Sequence, residues 1–268
     1  MKQITFGNKK IFYRAEGNGD AVILLHGFAE DNRIWNYQAE KLREIFYVII
    51  PDLPGSGASE MLDGDASIED YAEVIKAIAD AEINKNERKT FTLIGHSMGG
   101  YITLAFAEKY PELLNSFGLF HSSAFADDEA KKDARRKGIE FIKENGPASF
   151  LKTTTPNLFS EKTKKEHNNL IDDLIDLSKN FSAETLIQYY GAMMKRPERI
   201  SVLKSFSKPV LFIIGKEDAA IPPDASLKQC HLPRISTVYI LETSGHMGML
   251  EQPRTSLNFL LKFLTQPR

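Results

Sequence analysis

Six short apolar runs constrain the fold more than any other feature of this chain. "AVILLHG" starts at residue 21, "FYVIIPDL" at 46, "FTLIGHS" at 91, "SFGLFHS" at 116, "PVLFIIGKED" at 209 and "STVYILE" at 236. Runs this short and this continuous suit strands covered on both faces. Helical spacing recurs between them. Ile68, Tyr71, Ala72, Ile75, Ile78 and Ala79 make one apolar face, Met98 to Tyr110 reads as a helix stopped by Pro111, and Glu251 to Leu264 as another. Ahead of them, "ITFGNKKIFYRAEG" reads as a hairpin around Gly7-Asn8. The alternation predicts an α/β fold, a mostly parallel central sheet with helices on both faces.

The rhythm breaks once. From Ser122 to Arg199 there is no good strand, only helical segments, with Leu170, Ile171, Leu174 and Ile175 in one stripe. Leu186, Ile187, Tyr190, Met193 and Met194 form another behind Ser182 as N-cap. The expected division is a core of residues 1–121 and 200–268 and a helical cap of 122–199. Such an insertion is either a packing embellishment or a lid over a site at the strand ends. Between Ser122 and Lys195, 12 Lys+Arg balance 12 Asp+Glu, which gives no hint of a strongly charged ligand. The run Lys131, Lys132, Arg135, Arg136 and Lys137 is interleaved with acids and reads as a solvated helix face.

A net charge of -2 over 268 residues leaves no electrostatic footprint for nucleic acid. No apolar run approaches the roughly 20 residues that span a bilayer, and "MKQITFGNKK" has no apolar signal core. One cysteine, Cys230, supports neither an internal disulfide nor a thiolate metal cluster. The expectation is a cytoplasmic protein without nucleic-acid or membrane partners; nothing in the chain sets an oligomeric state.

The chemistry gathers at "TLIGHSMGGYI". Gly95-His96-Ser97-Met98-Gly99 fits G-x-S-x-G, a turn between strand and helix that lifts the serine hydroxyl clear of the sheet. A hydroxyl needs a base within reach, and the base an orienting group. "LETSGHMGML" offers His246 on a Gly-rich loop after the last strand, and "PVLFIIGKEDAAIP" ends its strand with Asp218. All three residues follow the carboxyl ends of strands, where the loops of an open parallel sheet converge.

Attack on a carbonyl also needs donors for the oxyanion. The Met98 N–H, next after the serine, is one; the Phe28 N–H, beside His26-Gly27 in "LLHGFAEDNRIW", is the second. Losing one such donor typically costs about 10²–10³ in rate. His26 is expected to brace this loop, and Phe28 and Trp35 to be either pocket wall or core. His121 either looks into the pocket as a polar handle or bonds a carbonyl at the base of the insertion. His26, Gly27, His121 and Phe125 are the candidate pocket residues.

With these residues in place the chain resembles the α/β-hydrolase superfamily over nearly its full length. The matching pieces come in order: "HGF", "DLPGSGAS", "GHSMGG", a helical insertion, "GKED" and "GHMGMLEQP". The resemblance implies Ser97 as nucleophile, His246 as general base and acid, Asp218 as orienting carboxylate, and the Phe28 and Met98 amides as oxyanion hole. It gives Asp52 and Ser56 no catalytic role and implies no cofactor or metal. Relatives that cleave carbon-halogen bonds or epoxides carry aspartate where Ser97 stands, which sets those reactions aside. The expected activity is hydrolysis of a small carboxylic ester. A lactonase, a carbon-carbon bond hydrolase and an amidase share the same triad, and a receptor-like ligand-binding protein shares the fold. Carbon-carbon hydrolases need further polar groups, and neither "GHSMGGYI" nor "HGFAEDN" supplies an arginine, though Arg33 is near.

Overall fold

The computed structural model describes residues 1–83 and 90–266. Eight strands form one sheet in the order β1-β2-β4-β3-β5-β6-β7-β8. They are β1 (Lys2–Phe6), β2 (Lys9–Glu16), β3 (Asp20–Leu25), β4 (Phe46–Pro51), β5 (Phe91–His96), β6 (Leu114–Phe120), β7 (Val210–Gly215) and β8 (Ser236–Leu241). β1 and β2 make the expected antiparallel hairpin, β2 pairs antiparallel with β4, and every pair from β4 to β8 is parallel. All six apolar runs become strands. β4, β5 and β7 are buried at every position, whereas β8, at the sheet edge, alternates exposed and covered residues.

Helices cover both faces. On one lie α2 (Ile68–Glu82) and α3 (Met98–Lys109), joining Tyr71, Ile75, Ile102 and Phe106 to the sheet. On the other lie α1 (Asn36–Leu42) and, near the C-terminus, a short helix Gly248–Glu251 and a longer one Pro253–Leu264, whose Leu260 and Phe263 pack with Trp35 and Leu42. The last helix therefore starts at Pro253, not at Glu251, because Pro fits the first turn, where its missing N–H is not needed. Ser67 caps α2 reciprocally: its Oγ accepts from Asp70 N–H and its own N–H donates to the Asp70 carboxylate.

Between β6 and β7 the chain builds α4 (Glu129–Thr154), α5 (Glu161–Glu166), α6 (Asn168–Ser178), α7 (Ala183–Lys195) and α8 (Ile200–Ser205). α4 breaks at Gly146-Pro147, where Gly146 takes φ 80°. Ser182 caps α7, its Oγ accepting from Thr185 N–H. The inserted helices are tied to the core by buried polar contacts. Tyr189 donates to the Pro54 carbonyl at 2.9 Å, Tyr71 donates to Gln188 at 2.9 Å, and Glu251 accepts from Ser160 N–H and Thr163 Oγ1.

The turn from β5 to α3 is built on close approach. A Cβ on Gly95 would lie 2.1 Å from the Gly99 carbonyl oxygen, and one on Gly99 2.6 Å from that of His26. Both neighbours are backbone and cannot swing aside. Gly95→Ala is therefore expected to destabilise the protein by about 3 kcal/mol or to prevent folding, read as a melting temperature lowered by several degrees. An unchanged melting curve would contradict this packing.

Candidate active site

Ser97 sits at the corner with φ 50° and ψ −114°, a left-handed backbone that costs a residue with a Cβ about 1–3 kcal/mol. Hydrogen bonds hold it there. Its N–H donates to the Phe120 carbonyl on β6 (3.0 Å), and its carbonyl accepts from Gly100 N–H (2.9 Å) and Ser122 Oγ (2.7 Å). From Phe91 to Gly100 only Ser97 is not buried.

Ser97 and His246 line one cavity of about 160 Å³ with no hydrogen bond between their side chains. His246 Nδ1 lies 2.8 Å from Asp218 Oδ2, which fixes the ring with Nε2 as its remaining nitrogen. The Asp218 carboxylate is saturated. Oδ1 accepts from Ala220 and Ile221 N–H (2.9 and 2.8 Å), and Oδ2 faces both His246 and His121 Nδ1, the latter at 3.1 Å. Burial pushes the Asp218 pKa up, but the His246 charge and the bonds from His121 and His246 outweigh it, so the carboxyl stays ionised far below its usual range. Burial likewise pushes His246 down, and the charge and hydrogen bond of Asp218, with Glu30 and Glu251 farther off, bring it above its ordinary value.

The Phe28 loop lies against the same corner: a Cβ on Gly27 would be 3.0 Å from Ser97 Cβ. Gly27 N–H donates to Glu30 Oε2 at 2.6 Å, whereas neither the Phe28 nor the Met98 N–H meets a protein acceptor among the described residues. His26 braces the loop. Its Nε2 takes the Leu53 N–H at 2.9 Å and lies 2.8 Å from Ser56 Oγ, which gives "DLPGSGAS" its structural purpose. Asp52 accepts from Asn32 and Ala58 and stays out of the cavity.

The candidate pocket residues fall elsewhere. None of His26, Gly27, His121 and Phe125 lines the cavity that holds Ser97. Phe125 instead gives its carbonyl to Arg196. His121 (φ 49°) neither meets substrate space nor bonds a carbonyl; it turns under the sheet end to the back of Asp218. Burial, against the pull of Asp218, lowers its pKa to about 4, so the ring is neutral at pH 7. Among the described residues its Nε2 is buried without a partner, while its Nδ1 takes the Gly215 N–H at 3.1 Å and faces the Asp218 carboxylate at the same distance. His121, Asp218 and His246 hold ligand-type atoms within 4.8 Å of one another, a grouping that sequence did not suggest. At 2.8 and 3.1 Å the ring nitrogens and the carboxylate oxygen are spaced as hydrogen-bond partners.

Two further groups were hidden in the sequence. Glu30 and His96 form a buried pair at 2.9 Å behind the corner, and His96 Nε2 lies 2.9 Å from the His246 carbonyl oxygen. Burial raises the Glu30 pKa, but the His96 charge and hydrogen bond and the Gly27 N–H hold it below the usual carboxylate range. Arg135 of α4 also lines the cavity, along with Tyr101, Leu158, Tyr190 and Met193. The solvated-face reading fits Arg136 and Lys137, which are exposed, and fails for Arg135, whose side chain is 18% exposed. Cys230 is buried, and its thiol is pushed up to about 12 by that burial, which leaves it inert.

A strained serine on a strand–turn–helix corner, with a histidine–carboxylate pair facing it from the next strand ends, defines the class. The family profile described as alpha/beta hydrolase fold matches residues 20–253, and the chain belongs to that family. It is similar to a thermophilic esterase from Thermogutta terrifontis, solved with malate bound, at 27% identity and a TM-score of 0.91, covering 98% of each chain. It is 26% identical to the monoacylglycerol lipase abhd6-A of Xenopus laevis over 99% of this chain and 82% of that one. It is also 26% identical to the 2-hydroxy-6-oxo-6-(2'-aminophenyl)hexa-2,4-dienoic acid hydrolase of Metapseudomonas resinovorans, over 98% of this chain and 90% of that one. Among the described residues no helix is long and apolar enough to cross a membrane.

Proposed function

We propose that this hydrolase cleaves small carboxylic esters through an acyl-enzyme on Ser97, with His246 as general base and acid, Asp218 as orienting carboxylate and residues 122–199 as a cap. One observation carries the reading: Ser97 and His246 share a cavity, and the far nitrogen of that histidine is held by an ionised, fully bonded Asp218. Substrate entry brings Ser97 Oγ onto His246 Nε2, an alignment that often tightens only in the complex. As Oγ attacks the carbonyl, Nε2 takes its proton, and the Phe28 and Met98 N–H groups receive the oxyanion. The imidazolium, stabilised by Asp218, then protonates the departing alcohol. Water, deprotonated by the same nitrogen, releases the acid. The triad supplies every proton transfer, so the reading calls for no cofactor. A cavity of about 160 Å³, below the roughly 300–1,000 Å³ of drug-sized sites, favours short substrates.

The test is acid release by pH-stat across short-chain esters, longer esters, lactones and amides. Short esters are expected to turn over fastest; ligand-dependent rises in melting temperature without turnover would replace the esterase by a binding protein. The same assay gives a pH prediction. Only neutral His246 accepts the proton, and Asp218 holds the imidazolium form to a higher pH than usual. kcat/KM should therefore rise with pH through a midpoint above the ordinary histidine value of about 6.5. A midpoint well below that value would contradict the His246–Asp218 pairing.

A further inference from the structure

Arg135 occupies a place that structural support alone does not require. It descends from α4 to the wall of the cavity that contains Ser97 and His246. Its Nε donates to Asp127 Oδ2 at 2.7 Å, and Asp127 has no exposed side-chain surface. The same carboxylate is also claimed by Arg196, at 3.0 Å from its Oδ1. Two guanidiniums on one buried carboxylate leave one positive charge unmatched.

Arg196 has its donors filled. Its nitrogens are committed to the Met193 and Phe125 carbonyls (2.7 and 3.0 Å), and its guanidinium lies 3.7 Å from the Tyr101 ring centre. Arg135 lies farther from an aromatic face, its guanidinium 5.4 Å from the Tyr190 ring centre, and its donors are less used. Its Nη2 makes only a long contact of 3.4 Å to Asp127, and its Nη1 donates to no protein group among the described residues. The Tyr101 and Tyr190 hydroxyls, on the same wall, likewise meet no protein partner among the described residues. Glu30, which also lines the cavity, gives Oε2 to His96 and the Gly27 amide and makes no ion pair with Arg135. A guanidinium withdrawn from water with donors unused is costly unless an anion completes it, and its planar fork matches a carboxylate.

We propose that the preferred substrate is an ester that carries a free carboxylate, bound by Arg135 Nη1 and Nη2 while the scissile carbonyl meets Ser97. The proposal rests on the esterase reading above and adds the substrate class. Both contacts fall within one cavity of about 160 Å³, so a short chain separates the two groups, as in a hemiester of succinate. The carboxylate sits at the Arg135 wall.

The experiment compares monomethyl succinate with its neutral isostere, methyl succinamate, in the wild type, Arg135→Gln and Arg135→Lys. The wild-type kcat/KM is expected to favour the hemiester by about tenfold or more. The ratio should collapse to about one in Arg135→Gln and be partly kept in Arg135→Lys, with the difference carried by KM. Melting temperatures with succinate or succinamide supply a readout that needs no turnover: succinate should raise that of the wild type and not that of Arg135→Gln. A ratio unchanged by Arg135→Gln, or an equal succinate shift in both proteins, overturns the proposal while ester hydrolysis stands. No hydrolysis of either ester, with the succinate shift confined to the wild type, overturns the esterase reading and leaves the carboxylate site supported.

Discussion

Ser97→Ala is expected to lower kcat on any ester this protein hydrolyses by about 10⁴-fold or more, because His246 and Asp218 have no other nucleophile to activate. The loss should leave the fold intact. Among the described residues the Ser97 hydroxyl has no hydrogen-bond partner, and alanine accepts the same φ of 50° at a similar cost, so the melting temperature should barely move. Ser97→Gly separates strain from chemistry. Glycine relieves the left-handed backbone at some cost in chain entropy and should be about 1 kcal/mol more stable than Ser97→Ala, though equally inactive. Circular dichroism melts and acid release on the same preparations check both statements. A Ser97→Ala protein that kept a tenth of the wild-type rate would remove the serine from the mechanism.

Asp218→Asn should cost about 10⁴-fold in kcat by another route. The carboxylate accepts two backbone N–H groups on Oδ1, and its Oδ2 faces the His246 and His121 rings. An asparagine oxygen fits the two N–H groups, which turns its amide nitrogen toward His246 and His121. His246 Nδ1 must then accept, its proton moves to Nε2, and the nitrogen facing Ser97 can no longer take a proton. The arrangement thus fails through the wrong tautomer with little loss of packing. Steady-state kinetics against a short ester, beside a circular dichroism spectrum that matches wild type, is the check. A fall of less than about tenfold would mean that Asp218 does not set the tautomer.

Much of this architecture is written locally in the chain. The strands are legible because β4, β5 and β7 are buried on both faces and so read as unbroken apolar runs. Ser97 and Asp218 stand just past such runs and His246 past the edge strand β8, and strand order carries them together. Arg135 was not legible for a physical reason. Five cations in seven positions hide the helical phase, and their acidic neighbours suggest mutual solvation. The phase is visible only from the residues that follow: Arg135, Gly138 and Ile142 lie three and four apart, and Ile142 is buried. Gly138 lets α4 approach α7 so closely that a Cβ there would meet the Tyr190 ring at 2.8 Å, which sets Arg135 over the cavity. The cancelling charge of the insertion, likewise, is a sum along the chain and says nothing of the one guanidinium left over at the site.

The position of His121 follows from a single backbone angle. At φ 49° the ring swings behind Asp218; an extended residue at the end of β6 would have pointed elsewhere. Glu30 and His96 are 66 residues apart in sequence, and nothing in "HGFAEDN" or "GHSMGG" marks them as partners. They meet because β3 and β5 are neighbours, and a pairing of that kind belongs to the sheet order.

The most direct test of an activated serine is the intact mass of the protein after treatment with a fluorophosphonate. A single adduct is expected on the wild type, absent from Ser97→Ala and formed far more slowly in His246→Ala. A well-folded wild type that takes up no label, or a Ser97→Ala protein that labels as fast as wild type, would contradict the assignment of Ser97 as nucleophile.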